Sequence, residues 1–238
     1  MKNIIFFDTE TTGNTEKDLL CQIAYKNKDE DFVALYNPNL KIPPEASAVH
    51  HITNKMVADK PVFKESAEYE KIKNLFEDEN TVLVAHNAVF DLMIIKKESI
   101  EPKNFICTLR VARYLDPEEK IERYNLQYLR YLLEIEVDAT AHDAMGDVFV
   151  LEKLYERLKK KIIEIENLDE EKAIERMQEI SSHPSLLRSF GFGKYIGKKI
   201  EEVARTDRGY LEWLLKQKQE SNQNEEDWIY TLKHYLGK

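Results

Sequence analysis

The sequence contains little cysteine and glycine, no long apolar run and no overall excess of positive charge. Cysteine occurs twice in 238 residues, as Cys21 and Cys107. Both stand in apolar patterns, which indicates reduced core residues rather than a disulfide framework. No segment reaches the roughly 20 consecutive apolar residues that a membrane-spanning helix needs. The short apolar run before Asp8 lacks the length and the cleavage site of a signal peptide. We therefore expect a cytoplasmic protein without a membrane segment.

The net charge is negative, and the basic residues are concentrated locally. A formal net charge of −9 argues against a protein whose whole surface coats nucleic acid. The segment 185–218 differs, because it carries eight basic and four acidic residues together with four of the seven glycines. Metal ions supply local positive charge at nuclease sites, so the acidic composition does not exclude a nuclease.

The spacing of apolar residues predicts an α/β fold, with strands early in the chain and helices interleaved later. We expect a five-stranded mixed sheet with helices on both faces. The predicted strands are 2–8, 19–25, 32–37, 81–85 and 105–108. The predicted helices are 64–77, a helix from about residue 88, 108–115, 125–134 and 143–160. A long loop is expected around Pro43 and Pro44.

Composition divides the chain into three parts. Residues 1–160 contain the predicted α/β domain. Residues 161–184 are highly charged and contain few apolar residues, which predicts an exposed helical linker. Residues 185–238 form a small basic module, in which glycines, aromatic residues and lysines are interleaved.

The function of this C-terminal module has two interpretations. Interleaved aromatic residues and lysines suit a strand-borne surface that stacks bases and pairs with phosphates. Alternatively, the aromatic side chains form the core of the module and the lysines are solvated. Since a short module needs a core, we assign to packing most of Phe190, Phe192, Tyr195 and Trp213. Contact with DNA stays an open alternative for Lys194, Lys198 and Lys199.

Two carboxylates lie two residues apart at the end of the first predicted strand. Asp8 and Glu10 point to the same face of that strand. They repel each other unless a proton or a cation lies between them. Hard divalent cations with oxygen ligands satisfy such a pair, and two-metal sites hold their ions about 3.5–4 Å apart. An Asp-x-Glu pair also occurs at ordinary strand ends, so the pair alone does not establish a site.

Two later segments add acids where predicted strands and helices meet. The segment 86–91 follows a buried strand and opens a helix, where α/β proteins place their sites. It supplies Asp91, while Asn87 suits either the N-cap of that helix or the site. Asp147 lies on the apolar stripe of the long helix, where a lone acid is costly to bury. His142 precedes this helix, so it is either a base that reaches a metal-bound water or an incidental residue.

Together, the three segments resemble the three motifs of the DEDDh family of 3′→5′ exonucleases. The matching stretches are Phe-Asp-Thr-Glu-Thr-Thr-Gly from Phe7, His-Asn-Ala-x-Phe-Asp from His86, and His-x4-Asp from His142. They stand in the family's order over the predicted α/β domain. His51 replaces a glycine that is usual in the family, which affects a local turn. The segment that begins at Phe190 resembles a small module of exonuclease X-like members.

The resemblance implies a ribonuclease H-like fold and a set of functional residues. The family's four acids bind two magnesium or manganese ions, and here they are Asp8, Glu10, Asp91 and Asp147. The family's general base corresponds to His142. The residues that would contact the terminal nucleotide are Thr9, Thr11, Thr12 and Gly13. Those that would support it are Asn87 and Phe90.

We predict a metal-dependent 3′→5′ exodeoxyribonuclease that releases nucleoside 5′-monophosphates from DNA ends in repair or proofreading. An RNA exonuclease would carry the same site, although the basic module favours DNA as the partner. A catalytically silent nucleic-acid-binding module is a second alternative, but such a relative should have lost an acid or the histidine. A metal-binding regulatory domain is a third, and it would not need His142 five residues before Asp147.

Overall fold

The computed structural model describes residues 2–137 and 144–238, which form five strands and eleven α-helices. The strands are β1 (Asn3–Thr11), β2 (Leu20–Lys26), β3 (Asp31–Leu35), β4 (Thr81–Ala85) and β5 (Phe105–Cys107). The helices before residue 138 are α1 (Pro44–His50), α2 (Asn54–Val57), α3 (Tyr69–Glu77), α4 (Ala88–Lys97), α5 (Thr108–Leu115) and α6 (Leu126–Leu132). The later helices are α7 (Ala144–Glu166), α8 (Glu170–Ser181), α9 (Ile200–Thr206), α10 (Arg208–Gln219) and α11 (Glu226–Leu236).

The strands form one five-stranded mixed sheet, as the sequence predicts, and their order is β3-β2-β1-β4-β5. The first three strands pair antiparallel, because a short hairpin joins β2 to β3. The pairs β1–β4 and β4–β5 are parallel, and each needs a connection that crosses back over the sheet. β1 therefore lies at the centre of the sheet, and its carboxyl end meets the carboxyl end of β4.

Each face of the sheet is covered by a different set of helices. Side chains alternate along a strand, so Phe6 packs against α5, α6, α7 and α8, whereas Ile5 and Phe7 pack against α3 and α4. Asp8 and Glu10 follow Phe6 in steps of two and therefore project toward the α7 side. This alternation places both carboxylates where the first turn of α7 can meet them.

The predicted loop around Pro43 and Pro44 contains a helix. Pro44 is the first residue of α1, where the fixed φ of proline suits a helix and its missing N–H is not needed. The helix α1 ends at His50, and the residue that caps it, His51, has a left-handed φ of 61°. The residue that replaces the family's usual glycine thus occupies the one backbone region in which glycine is favoured.

The segment 161–184 is helical as predicted, but one side of it is buried against the α/β domain. α7 continues to Glu166, and α8 then packs against α5, α7 and β5. Ala173 and Met177 are fully buried in the core below α7. The Ser181 hydroxyl accepts a hydrogen bond from the backbone N–H of Cys107 at 2.8 Å. The expectation failed because the many charges of α8 occupy one face while small and sulfur-containing residues form the other.

The module 185–238 is built from helices rather than strands, which corrects the expectation of a strand-borne surface. Within its described residues, extended pairing is limited to an isolated bridge between Ser189 and Lys199. Phe190 is buried in the module core, as predicted. Trp213 is 54% exposed and Phe192 37% exposed, so their assignment to the core is wrong. Trp228 packs against the core instead.

The sequence predicts buried core thiols and no membrane segment. Cys21 and Cys107 are buried and are not joined to each other, as expected for core thiols. Among residues 2–137 and 144–238, no helix combines the length and apolar character needed to cross a bilayer.

Candidate active site

Three carboxylates meet at the carboxyl end of β1. Asp8 and Glu10 come from β1, and Asp147 comes from the first turn of α7. Each offers an oxygen that lies within 4.8 Å of the others. Clustered carboxylate oxygens are the ligands that hard divalent cations prefer, so this donor set fits the metal site that the sequence predicts.

The fourth acid, Asp91, is buried beside this cluster and is held by Thr9. Asp91 is 3% exposed and lies in the first turn of α4. Its Oδ1 accepts hydrogen bonds from the backbone N–H of Thr9 at 3.1 Å and from the Thr9 hydroxyl at 2.7 Å. These bonds join β1 directly to α4. The hydroxyl of Thr9, expected to contact the substrate, is therefore engaged with an acid.

Burial and mutual repulsion make this cluster electrostatically strained without a cation. Burial, followed by the negative charges of Asp91, Glu10 and Asp147, raises the pKa of Asp8 well above its usual value. Burial also raises the pKa of Asp91 to about 7, although the hydrogen bonds from Thr9 oppose this change. A bound divalent cation removes the repulsion and favours the ionised carboxylates.

Gln127 is a neighbour of the cluster that the sequence analysis did not identify. It lies in the first turn of α6, and its Nε2 donates a hydrogen bond to Oδ1 of Asp147. Its Oε1 is buried and has no hydrogen-bond partner among the described residues. Nothing in the sequence around Gln127 marks this contact, because the residue stands in an ordinary amphipathic helix.

We expect Gln127→Leu to weaken metal binding, because Asp147 loses the hydrogen bond that orients its carboxylate. Losing an outer partner of a metal ligand typically costs about 10–100-fold in metal affinity or activity. The metal concentration at half-maximal activity and the metal-induced rise in melting temperature measure the effect. Gln219→Leu, at the exposed end of α10, is the matched control. Equal behaviour of the two variants would show that Gln127 does not orient the acid.

The turn after Glu10 is stabilised by its own side chains. The Thr12 hydroxyl donates to Oδ1 of Asp18 at 2.8 Å, and the Thr11 hydroxyl donates to the Gly13 carbonyl. A Cβ on Gly13 would lie 2.7 Å from the Asp18 carboxylate, so a larger residue would displace this carboxylate from its hydrogen bonds with Thr12 and Thr15. His50 reinforces the turn, since its Nε2 lies 3.1 Å from the Thr11 carbonyl.

The segment that follows β4 exposes the side-chain amide of Asn87 and holds His86 through contacts with neighbouring elements. Asn87 occupies the N-cap position of α4 with a left-handed φ of 64°, yet its side chain makes no capping hydrogen bond. Of its two expected roles, helix capping by the side chain is thus excluded. His86 joins neighbouring elements through Thr108 at 3.0 Å and the Tyr124 carbonyl at 2.6 Å. Phe90 packs against the core.

The remaining predicted residues are His142 and three lysines of the module. His142 falls outside the described residues. In the module, the lysines predicted to contact DNA are near acids: Lys194 lies 3.0 Å from Asp207, and Lys199 lies 3.6 Å from Glu119 of the α/β domain. Lys198 has a longer contact of 4.0 Å with Glu202. Their contact with DNA stays a prediction.

Two family models match this chain. The model described as "Exonuclease" matches residues 5–155, and the model described as "Exodeoxyribonuclease X-like C-terminal" matches residues 190–219. Exodeoxyribonuclease 10 of Escherichia coli K12 is 35% identical over 203 residues, which cover 85% of this chain and 83% of the relative. The DNA polymerase III epsilon subunit of Treponema pallidum is 34% identical over 163 residues, covering 63% of this chain and 73% of the subunit.

Solved structures share the fold. A complex of exonuclease X with 5′ overhanging duplex DNA superposes with a TM-score of 0.56 at 27% identity, covering 75% of this chain and 99% of that one. E. coli exonuclease I with a dT13 oligonucleotide gives a TM-score of 0.59 at 22% identity, covering 70% of this chain and 43% of that one. The second match is a likeness of fold alone. The predicted ribonuclease H-like fold is confirmed. Since a family model spans most of the chain and its motif acids converge at one end of β1, the chain belongs to the DEDDh family of 3′→5′ exonucleases and carries the exonuclease X-like C-terminal domain.

Proposed function

We propose that this enzyme is a divalent-metal-dependent exodeoxyribonuclease that removes nucleoside 5′-monophosphates from the 3′ ends of DNA. The observation that carries the proposal is the convergence of Asp8, Glu10 and Asp147 within 4.8 Å, beside the buried Asp91. The substrate class is supported by the E. coli relative, which is an exodeoxyribonuclease. It is also supported by the exonuclease X structure, which contains duplex DNA.

The four acids would hold two magnesium or manganese ions. When bound, such ions supply an activated water and stabilise the leaving oxygen of an in-line displacement. β1 supplies Asp8 and Glu10 just beyond its pairing with β4, where their backbone is paired with β2. Thr9 orients Asp91 through two hydrogen bonds, and Gln127 orients Asp147. We propose His142 as the base that takes the proton from the attacking water, because an ordinary histidine pKa near 6.5 suits this transfer.

The terminal nucleotide would lie against the turn after β1 and the start of α4. Because the hydroxyls of Thr11 and Thr12 are engaged within that turn, we propose that the turn contributes its shape and its backbone groups, with Gly13 permitting close approach. The exposed side-chain amide of Asn87 is available to donate to the nucleotide, and Phe90 supports the α4 end of the site. Lys194, Lys198 and Lys199 are proposed contacts for DNA farther from the terminus.

Labelled substrates test this function directly. Matched DNA and RNA strands with a label at either the 3′ or the 5′ end are incubated with magnesium, manganese or EDTA. We expect metal-dependent shortening from the 3′ end, faster on DNA, and abolished in Asp8→Ala and His142→Ala. Shortening from the 5′ end would refute the polarity, and faster loss of RNA would refute the substrate. Binding without any degradation would indicate a silent binding module instead.

A further inference from the structure

A groove follows the loop that precedes α6 and consists of two clefts that share lining residues. Its first part is a cleft of about 460 Å³ between the α/β domain and the C-terminal module, and its second part is a cleft of about 380 Å³ along α6. Arg123 and Asn125 line both parts, so the two clefts meet at this loop. Such volumes are in the range of ligand-binding clefts.

Each part of the groove is lined by a residue next to the acid cluster. The first cleft is lined by His86 and Asn87, which precede the segment of α4 that carries Asp91. The second cleft is lined by Gln127, which donates to the Asp147 carboxylate. The groove therefore reaches the residues that border the acids.

The C-terminal module forms one wall of the first cleft. The segment 224–228 lines it, including Trp228 at the start of α11. The same stretch of the module also contacts the turn after β1, because the backbone N–H of Glu16 donates to the Asn222 carbonyl at 3.0 Å. The Gln223 amide lies 3.2 Å from the Asn14 side chain. The module thus borders the active site at the turn after β1 and at the start of α4.

The charges that line the first cleft are mostly compensated, which leaves Arg123 prominent. Asp227 pairs with Arg113, and Glu225 pairs with Lys218 at 2.7 Å. Arg123, by contrast, is 68% exposed and has a contact of only 3.9 Å with the equally exposed Glu122. Its guanidinium can leave this contact at little cost and pair with a phosphate.

Aromatic side chains lie on either side of this arginine. Trp228 contributes an indole from the module, and Tyr131 on α6 is 71% exposed in the second cleft. Aromatic rings that alternate with cations are the chemistry of single-stranded nucleic acid binding, because any base can stack on them and the cations hold the backbone.

We propose that this groove binds the nucleotides of the degraded DNA strand that precede its terminal nucleotide. Arg123 binds a phosphate of that strand, and Trp228 and Tyr131 contact its bases. The C-terminal module is therefore part of the substrate-binding surface, with its contact made through α11 rather than through the lysines around Gly197. This assignment rests on the proposed exonuclease function.

Binding is tested without catalysis by fluorescence anisotropy of a labelled single-stranded oligonucleotide in calcium. We expect Arg123→Glu to weaken binding by about tenfold, the effect of about 1.4 kcal/mol. The slope of log Kd against log salt concentration should fall by about 0.7, as for one lost phosphate contact. The control is Arg205→Glu, which makes the same charge change on α9 at a 75% exposed side chain outside both clefts. Equal affinity of these two variants would overturn the assignment.

The aromatic contact has its own matched pair of variants. Trp228→Leu keeps an apolar side chain against the module core, and circular dichroism checks its fold. We expect it to weaken binding of the oligonucleotide severalfold. Trp213→Leu, at the exposed tryptophan outside the groove, should bind as the wild type does. If Trp228→Leu is folded and binds normally, α11 does not contact the strand. Tyr131→Ala, which removes an exposed ring, tests the other end of the groove in the same way.

A small substrate separates the groove from the active site. The p-nitrophenyl ester of thymidine 5′-monophosphate has no preceding nucleotides. The loss of kcat/KM caused by Arg123→Glu should therefore be about tenfold greater on an oligonucleotide than on this ester, with the difference in KM. Equal losses on both substrates would place Arg123 in the active site and refute the proposal. If the wild type hydrolyses neither substrate, the exonuclease function fails, while the anisotropy experiment still decides whether the groove binds DNA.

Discussion

Asp91→Asn is expected to abolish nuclease activity and, at the same time, to stabilise the metal-free protein at pH 8. The activity should fall by more than the roughly 10–100-fold that accompanies loss of an outer partner of a metal ligand, because Asp91 is itself a proposed ligand. The stability should rise because the asparagine keeps the shape of the side chain and the hydrogen bonds from Thr9, yet never carries the buried negative charge.

The sign of this effect follows from the raised pKa of Asp91. An unfolded aspartate has a pKa of about 3.9, whereas burial raises the pKa of Asp91 to about 7 in the folded protein. The folded state therefore favours the protonated form. The contribution of protonated Asp91 to the stability of the folded state is complete below about pH 4 and is lost as the pH rises through 7. The difference between these two pKa values corresponds to about 4 kcal/mol, at about 1.4 kcal/mol per pKa unit. We expect Asp91→Asn to stabilise the metal-free protein at pH 8 by an amount of this order.

Thermal unfolding in EDTA and in magnesium measures both parts of this prediction. In EDTA the Asp91→Asn variant should melt several degrees above the wild type at pH 8, at about 2–4 °C per kcal/mol, and equally with it at pH 4. Magnesium should raise the melting temperature of the wild type much more than that of the variant. Asp59→Asn, at an exposed acid beyond α2, is the control. An unchanged magnesium response would remove Asp91 from the metal site.

Arg110→Met is expected to destabilise the protein by about 2–4 kcal/mol. The Arg110 side chain is 5% exposed, and it joins α5 to the end of α8 and to α11. Its Nη1 donates to the Ser181 carbonyl at 2.7 Å, and its Nη2 donates to Glu226 at 2.6 Å. Methionine fills the space but leaves the buried carbonyl unpaired and Asp227 without one of its two arginines.

Urea unfolding gives the size of this loss, and limited proteolysis shows where it acts. We expect faster cleavage of the variant between α8 and the module, because Arg110 holds both elements. Lys103→Met is the matched control, since its ion pair with Glu79 joins two side chains that are 55% and 79% exposed, and such pairs contribute about 0–1 kcal/mol. If both variants lose the same stability, the buried arginine does not hold the module in place.

The sequence predicts the elements whose apolar residues form a continuous local pattern and are also buried in the folded protein. The five strands were predictable in part because β4 is apolar after Thr81 and buried throughout, and because β1 and β2 carry short runs of apolar residues. Asp8, Glu10, Asp91 and Asp147 are predicted as a set by the resemblance of their three motifs to those of the family. The convergence of Asp8, Glu10 and Asp147 depends on the packing of α7 against β1, which no local pattern shows.

The parts that were mispredicted depend on long-range packing. α8 was assigned to an exposed linker because its composition is dominated by charge, whereas Ala173 and Met177 are enough to pack it under α7. Trp213 was assigned to a core that Trp228 occupies, because a composition cannot show which of two tryptophans faces inward. Gln127 lies beside Asp147 only because α6 and α7 pack against each other.

The central place of β1 has a consequence for the order in which a newly synthesised chain gains its activity. Asp8 and Glu10 precede β4 and α7 along the chain, but β1 pairs in parallel with β4, and the pair Asn3–Thr81 is 78 residues apart. Asp147 follows later still. Contacts of such sequence separation form late in folding. An incomplete chain therefore holds only a fraction of the acids, and the capacity to hydrolyse nucleic acid arises only when the α/β domain has been translated and has folded.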